Sequence, residues 1–121
     1  MSKAFELGRR GEELAVAHLK EIGYEIVQIN WFSQHLELDI VAKDGNELVI
    51  VEVKARGSDS YEHPSEAVSN KKIRFLVNAA EAYIFEHNIT CDTRFDVISI
   101  IFTRNGFELE HFKNAFYPPV G

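Results

Sequence analysis

Two acidic residues and one lysine in the first half of the chain have the types and the spacing of a divalent-metal centre. Asp39 lies in segment 36–42, and Glu52 and Lys54 lie in segment 47–55. Mg²⁺ and Mn²⁺ are hard cations that commonly bridge one or two carboxylates and the phosphate oxygens of a substrate. An amine beside such an ion orients or deprotonates a water molecule and offsets charge on the phosphate. These residues therefore point to metal-assisted chemistry on a phosphate group.

A β-hairpin must hold the three residues if they are to act together. Segments 36–42 and 47–55 both show period-two alternation, and turn 43–46 contains an Asp-Gly pair, which is a strong hairpin signal. The hairpin brings Asp39 and Glu52 near each other at the same end of the two strands. Two like charges at that distance repel, and a bound cation removes the repulsion. From the residues alone, a cross-strand salt bridge at the sheet surface is the alternative, because such pairs are common and contribute little.

Side-chain alternation assigns these acids to particular faces of the two strands. In the first strand, Glu37 and Asp39 share one face. The other face of that strand carries Leu36, Leu38 and Ile40. In the second strand, Glu52 and Lys54 share a face. The same face carries Leu48 and Ile50. A carboxylate and an amine at the end of an apolar row are costly to bury without partners, and we interpret Glu37 as a support residue rather than a ligand.

The rest of the sequence predicts two helices and three further strands around the hairpin. Apolar residues recur at helical spacing over 5–22 and 65–87, with Ser65 as the predicted cap of the second helix. β-prone segments predict the strands, at 24–29, 94–102 and 107–112. The order α, β, β, β, α, β, β predicts an α/β fold with a mixed sheet flanked by two helices. With 121 residues, 45% of them hydrophobic, we expect one domain over 1–121.

Two charged residues on the predicted helices also fall on inward-facing rows. Glu12 lies on the apolar stripe of the first helix, whereas Glu13 does not. That stripe consists of Ala15, Leu19 and Ile22. Lys72 falls four positions from both Val68 and Leu76, so it faces inward or borders the site. For Lys72, a phosphate-binding or site-orienting role is weighed against a lysine that snorkels to the surface, and for Glu12 a site acid is weighed against a solvated one.

Motifs along most of the chain resemble those of one protein family. Asp39 followed by Glu52-Val53-Lys54 looks like the PD-(D/E)XK nuclease motif, with Leu38 in place of the proline. The full set of motifs resembles the YraN-like family of small bacterial proteins, predicted nucleases related to archaeal Holliday junction resolvases. The matching motifs are Gly8-Arg9-Arg10-Gly11-Glu12, Gly23-Tyr24, Asn30, residues 37–41, residues 51–56, Ala67-Val68, Lys72, residues 94–97 and Ala115-Phe116.

The resemblance implies a restriction-endonuclease-like αβββαβ core and a metal-dependent endonuclease that hydrolyses branched or structured DNA. It implies that Mg²⁺ or Mn²⁺ is held by Asp39, Glu52, the carbonyl of Val53 and Glu12. The same acids and Lys54, as the catalytic amine, would carry the reaction. Two alternatives stay open: a module of this fold that binds DNA or a DNA-processing partner without turnover, and an interaction protein that keeps the acids for stability. A homodimer is also open, since branched-DNA enzymes often act as symmetric dimers.

Basic and aromatic residues near the predicted site are candidates for contacts with nucleic acid. Four basic residues are the candidates for the DNA backbone: Arg9, Arg10, Arg56 and Lys72. The alternative for the arginines is that they are solvated cations with carboxylate neighbours. Trp31 and Phe32 either stack on a base or pack in the core or at an interface, and packing is the favoured interpretation.

Composition and terminal sequence argue against several other classes of protein. A net charge of -6 argues against a protein that coats nucleic acid through bulk electrostatics. The single Cys91 cannot form an internal disulfide, and the 5 histidines lack paired ligand spacing, so no zinc site and no catalytic imidazole is predicted. Asp96 beside Arg94 predicts a structural ion pair. The N-terminal segment has no apolar signal core, so we expect a cytoplasmic protein that does not enter a membrane.

Overall fold

The computed structural model describes residues 3–58 and 68–118. In chain order, its helices and strands are α1 (Lys3–Glu21), β1 (Glu25–Ser33), β2 (Leu36–Asp44), β3 (Glu47–Gly57), α2 (Asn70–His87), β4 (Thr93–Thr103) and β5 (Gly106–Phe112). The predicted element order is confirmed. Within the described ranges, no helix is both long and apolar enough to cross a bilayer.

The five strands form one mixed sheet in which spatial order follows chain order, β1-β2-β3-β4-β5. Neighbouring strands are antiparallel except β3 and β4, which run parallel. A parallel pair needs a crossover connection, and α2 lies in that connection. The predicted α/β fold, a mixed sheet with two helices, is therefore confirmed, and the arrangement is consistent with a restriction-endonuclease-like core.

Each helix covers one face of the sheet, so the sheet has two buried cores. The core against α1, here called the α1 cluster, consists of Ala15, Leu19, Tyr24, Ile40, Ala42, Val49, Val51, Ile98 and Ile100. The core against α2, here called the α2 cluster, consists of Trp31, Leu38, Val41, Leu48, Ile50, Leu76, Ala79, Ala80, Tyr83 and Phe95. Successive residues of β3 alternate between the two clusters, which explains the unbroken apolar run of that strand.

A glycine lets α1 approach β3 closely at the end of the strand that carries the candidate residues. Gly11 is buried, and a Cβ placed on it would come 2.6 Å from the Cβ of Ala55. That distance is far shorter than a van der Waals contact, so only glycine fits without displacement of the helix. The adjacent Glu12 is carried toward the sheet by this contact.

The second helix begins later than predicted. It starts at Asn70, where Ser69 is the N-cap and its hydroxyl accepts a hydrogen bond of 3.2 Å from the backbone N–H of Lys72. Ser65, the predicted cap, lies outside the described residues. Residues 68 and 69 are not helical, so the predicted start at residue 65 is wrong over those two positions. The cap at Ser69 fixes the first turn, which carries Lys72.

The structure also corrects the predicted face of β2. Leu36 and Leu38 pack with the α2 cluster, but Ile40 packs in the α1 cluster, so the three do not share a face. The alternation breaks opposite Asn30 of β1, whose φ of 55° lies in the left-handed region. A left-handed residue turns a strand out of regular β geometry, and asparagine tolerates this better than most residues. Asp39 lies at the break.

Candidate metal centre

β2 and β3 separate at the end of the sheet where the candidate residues lie. Their antiparallel pairing ends with Ile40 opposite Val51. Beyond that pair, the backbone N–H of Val53 donates a hydrogen bond of 2.9 Å to Asp39 Oδ2. The Asp39 side-chain oxygen therefore takes the place of the β2 backbone carbonyl that would otherwise accept this hydrogen bond from Val53. This bond fixes the carboxyl of Asp39 beside the segment that carries Glu52.

Glu52 is buried next to Asp39, with 4% of its surface exposed. The side chain of Asp39 lies within hydrogen-bonding reach of the Glu52 carboxyl. Burial and then the Asp39 carboxyl raise the pKa of Glu52 to about 8, although Lys72 acts to lower it. Glu52 therefore holds its proton more tightly than a free glutamate does. A divalent cation would take the place of that proton, because metal ligands must be deprotonated.

Lys72 reaches this acid pair from the first turn of α2. Its Nζ lies 3.1 Å from Glu52 Oε2 and 4.9 Å from the centroid of the Phe75 ring. Lys72 therefore borders the candidate site, and a site-orienting role for it stays a prediction. The amine holds the Glu52 carboxyl from the side opposite α1.

Glu12 approaches the acid pair from α1. It is half-buried, and with the Asn30 amide nitrogen turned toward it, that nitrogen lies 2.8 Å and 3.3 Å from its two carboxylate oxygens. Burial and then the negative charge of Asp39 raise the pKa of Glu12, while the Asn30 hydrogen bond lowers it. Among the described residues, no three His, Cys, Asp or Glu side chains meet closely enough to hold a metal ion. Glu12 is thus a neighbour of the acid pair.

Lys54 lies on the same face of β3 as Glu52, two residues further along the strand. It is half-buried, and the parallel register of β3 and β4 pairs it with Ser99. The Ser99 hydroxyl is buried and has no hydrogen-bond partner within the described part of the chain. Sequence reasoning missed Ser99, because the register between parallel strands carries no local signal. Ser99 is thus an unpartnered buried hydroxyl on the strand next to Lys54.

A groove of about 510 Å³ opens between α1 and the sheet beside Asp39, the member of the acid pair that lines it. Its lining includes Phe5, Arg9, Glu12, Phe32, Asp39 and Val53. The two aromatic rings are 56% and 63% exposed, for Phe5 and Phe32 respectively. The groove therefore contains both acidic side chains, Glu12 and Asp39, and exposed aromatic side chains, Phe5 and Phe32.

The four basic residues predicted to contact nucleic acid lie in different surroundings. Arg9 is exposed and lines the groove, whereas the exposed Arg10 places its guanidinium 5.3 Å from the ring centroid of Phe102. Arg56 is half-buried near the end of β3. Lys72 contacts Glu52, as described above. Arg9 is the arginine that the structure brings to the groove of the candidate centre.

Trp31 and Phe32 have separate surroundings. Trp31 belongs to the α2 cluster, its ring packs edge-on against Tyr83, and its Nε1 donates a 3.0 Å hydrogen bond to Glu86. The predicted core role of Trp31 is confirmed. Phe32 is exposed and does not pack in the core, and its packing at an interface stays a prediction. Successive side chains of a strand point to opposite faces of the sheet, which explains why Trp31 is buried and Phe32 is exposed.

The predicted Asp96–Arg94 pair is part of a larger polar cluster on the α1 face. Arg94 Nε lies 2.9 Å from Asp96 Oδ1, which confirms the pair, and His111 Nε2 lies 2.8 Å from Asp96 Oδ2. His18 Nε2 in turn lies 3.1 Å from His111 Nδ1. The two histidines are 93 positions apart, so their spacing gave no sign of this contact.

Comparison with known proteins assigns the family. Residues 11–100 match the sequence profile of Uncharacterised protein family UPF0102. The chain belongs to UPF0102. A UPF0102 protein of Bacteroides thetaiotaomicron is 48% identical over 120 residues, which is 99% of each chain. UPF0102 proteins of Parabacteroides distasonis and Phocaeicola vulgatus are 43% and 40% identical, over 98% and 99% of each chain. The resemblance to the YraN-like family is thereby confirmed.

Proposed function

We propose that this UPF0102 chain is a metal-dependent endonuclease of the PD-(D/E)XK type that hydrolyses DNA phosphodiester bonds. Branched or otherwise structured DNA is the substrate class implied by the resemblance to archaeal Holliday junction resolvases. The observation that carries the proposal is the pairing of two carboxyls, Asp39 and Glu52, where β2 and β3 separate. A buried Glu52 carboxyl next to a second carboxyl is costly to the fold, and a cation-binding role accounts for it.

The residues present fit a magnesium-type centre. Mg²⁺ is usually bound by one or two carboxylates together with substrate phosphates, rather than by a complete protein cage. Asp39 and Glu52 would therefore suffice as carboxylate ligands, with the Val53 carbonyl as a further oxygen. When bound, the ion would supply charge neutralisation at the phosphate and lower the pKa of a water molecule.

The protein's own side chains have distinct roles in this proposal. Lys72 orients Glu52 through its 3.1 Å contact. Lys54 offsets negative charge that develops on the phosphate. Glu12, held by Asn30, accepts a proton from the attacking water or positions that water. Arg9 contributes positive charge in the groove where the DNA backbone enters.

The test is a cleavage assay on branched, nicked and continuous DNA with Mg²⁺ or Mn²⁺. Asp39→Asn and Lys54→Ala are expected to reduce the cleavage rate at least about 100-fold, while circular dichroism shows an unchanged fold. The same assay is applied to Glu12→Gln. Its matched control is Glu13→Gln, because Glu13 is an exposed acid on the same helix. Cleavage that survives Asp39→Asn unchanged would come from a contaminant or another site and would refute the proposal.

One observation favours the second candidate, a DNA-binding module without turnover. The ammonium group of Lys72 already partners Glu52, so the chain contains its own cation beside the acid pair. On this alternative, the acid pair and Lys72 stabilise the fold, and the groove binds DNA without cleaving it. DNA binding that persists with no cleavage under either metal would support the module over the enzyme.

A further inference from the structure

The groove beside the acid pair has the chemistry of a nucleotide site. Phe5 comes from α1 and Phe32 from the end of β1, so two elements bring exposed phenyl rings into one groove. Exposed aromatic surface concentrated in a concave region marks a ligand site more often than scattered apolar residues do. The volume of about 510 Å³ falls within the usual range for small-molecule pockets, roughly 300–1,000 Å³.

Phe32 is held in place without taking part in the core. It pairs with Glu37 in the register of β1 and β2, while its neighbour Trp31 is buried on the other side. The bond from Trp31 to Glu86 anchors this end of the strand. Phe32 thus extends from an ordered strand, with 63% of its surface exposed. An exposed ring on an ordered strand suits a stacking platform.

The charges of the groove dictate which part of a ligand lies where. Glu12 and Asp39 repel a polyanion along their wall, except where a cation would neutralise the acid pair. Arg9 offers a second place for a phosphate. The aromatic part, by contrast, suits an uncharged planar group. One nucleotide satisfies both requirements, with its phosphate at the acids and its base against Phe32.

We propose that the groove holds an unpaired nucleotide next to the cleaved phosphate, so that the substrate is DNA with a single-stranded segment. This inference rests on the proposed nuclease function for the position of the phosphate. A base in a continuous duplex is stacked on both faces and cannot lie against the ring, whereas a base in a flap, gap or open branch can. Continuous duplex DNA is therefore a poor ligand.

The test measures binding separately from cleavage, by fluorescence anisotropy with Ca²⁺ in place of Mg²⁺. A labelled 15-nucleotide oligothymidylate should bind about tenfold more tightly than a duplex of the same length. Phe32→Ala should weaken oligothymidylate binding about tenfold, and Phe32→Trp should preserve it, because stacking needs only an aromatic face. Phe107→Ala is the control, since Phe107 is also an exposed phenylalanine but lies on β5. Thermal unfolding checks that the variants fold.

Equal affinity for oligothymidylate and duplex overturns the inference, as does an equal effect of Phe32→Ala and Phe107→Ala. Failure of the proposed nuclease function gives a different result. If oligothymidylate binding depends on Phe32 but no cleavage occurs, the nucleotide groove stands and catalysis fails. If cleavage depends on Asp39 but neither binding nor cleavage depends on Phe32, the nuclease stands and the groove assignment fails.

Discussion

Glu52, a proposed metal ligand, lowers the stability of the metal-free fold when it is ionised. Its pKa is raised to about 8, so the folded protein keeps a proton that the unfolded chain releases near pH 4.5. The stabilising contribution of the protonated group is complete below pH 4.5 and is lost as the pH rises through 8. The acid is therefore kept at a cost to stability near neutral pH.

Glu52→Gln is expected to stabilise the metal-free protein at high pH. Glutamine removes the buried charge, so the free energy of unfolding in chelator should rise by about 1–3 kcal/mol at pH 9. Near pH 4 both side chains are neutral and the difference should disappear. Urea denaturation at pH 4, 7 and 9 measures this, with Glu13→Gln as the exposed control. A wild type that gains stability over Glu52→Gln as the pH rises would contradict the account.

At this scale, sequence reasoning named the candidate residues but did not predict their partners. Asp39, Glu52 and Lys54 were predicted from residue type and strand alternation. The contact of Lys72 with Glu52 depends on how α2 packs, which helical periodicity specifies only as inward-facing. Asn30 as the partner of Glu12, and Ser99 beside Lys54, depend on register and on a left-handed residue, and neither has a local signal.

At the scale of elements, the close contact between α1 and β3 positions Glu12. Gly11→Ala should destabilise the protein by about 1–3 kcal/mol, because its Cβ would lie 2.6 Å from the Cβ of Ala55. Gly8→Ala is the matched control, since nothing lies within 4 Å of its Cβ and alanine favours helix. Urea denaturation compares the two variants.

A second substitution makes this prediction sharper. In the double variant Gly11→Ala with Ala55→Gly, the methyl group of Ala55 is absent, so the new methyl group at position 11 no longer clashes. Most of the stability that Gly11→Ala loses should therefore return, apart from the cost of a glycine in a strand. Equal effects of Gly11→Ala and Gly8→Ala would show that α1 does not depend on this contact.

Element existence and order were predictable because the apolar periodicity of each segment is strong. The hairpin turn, the two helices and all five strands occur in the predicted order, and their bounds differ from the predicted ones mainly at the ends. The start of α2 was misplaced, because Ser65 and Ser69 both have the type of a cap and only tertiary packing distinguishes them. The switch of face in β2 was missed, because strict alternation cannot anticipate a left-handed Asn30 in the neighbouring strand.

At the scale of the whole molecule, a buried polar cluster joins α1 to strands on both sides of β3. Arg94 contacts Asp44 of β2 and Glu47 of β3 as well as Asp96, and His111 of β5 links Asp96 to His18 of α1. Burial disfavours a charged Asp96, but hydrogen bonds from His111, Arg94 and the Asn114 backbone outweigh it and lower the pKa of Asp96 to about 2. This cluster holds the fold together away from the acid pair.

Asp96→Asn is expected to cost about 1–3 kcal/mol of unfolding free energy at pH 7, because Arg94 and His111 lose a buried carboxylate partner while Arg94 keeps Asp44 and Glu47. The stability that Asp96 contributes is present above about pH 3.8 and is lost as the pH falls through about 2. The gap between variant and wild type should therefore narrow in acid. Urea denaturation from pH 7 to pH 2 measures it, with exposed Asp92→Asn as control. A gap that stays constant in acid would argue against a role for the Asp96 charge.

The central claim is that Asp39 and Glu52 form a divalent-metal centre, and a crystal soaked in Mn²⁺ tests it most directly. Anomalous scattering at the manganese edge should reveal a peak between the two carboxyls at pH 8, and no peak in Asp39→Asn. The Glu52 carboxyl should turn from Lys72 toward the ion. A soaked crystal with no peak between Asp39 and Glu52, and with Lys72 still on Glu52, would contradict the account.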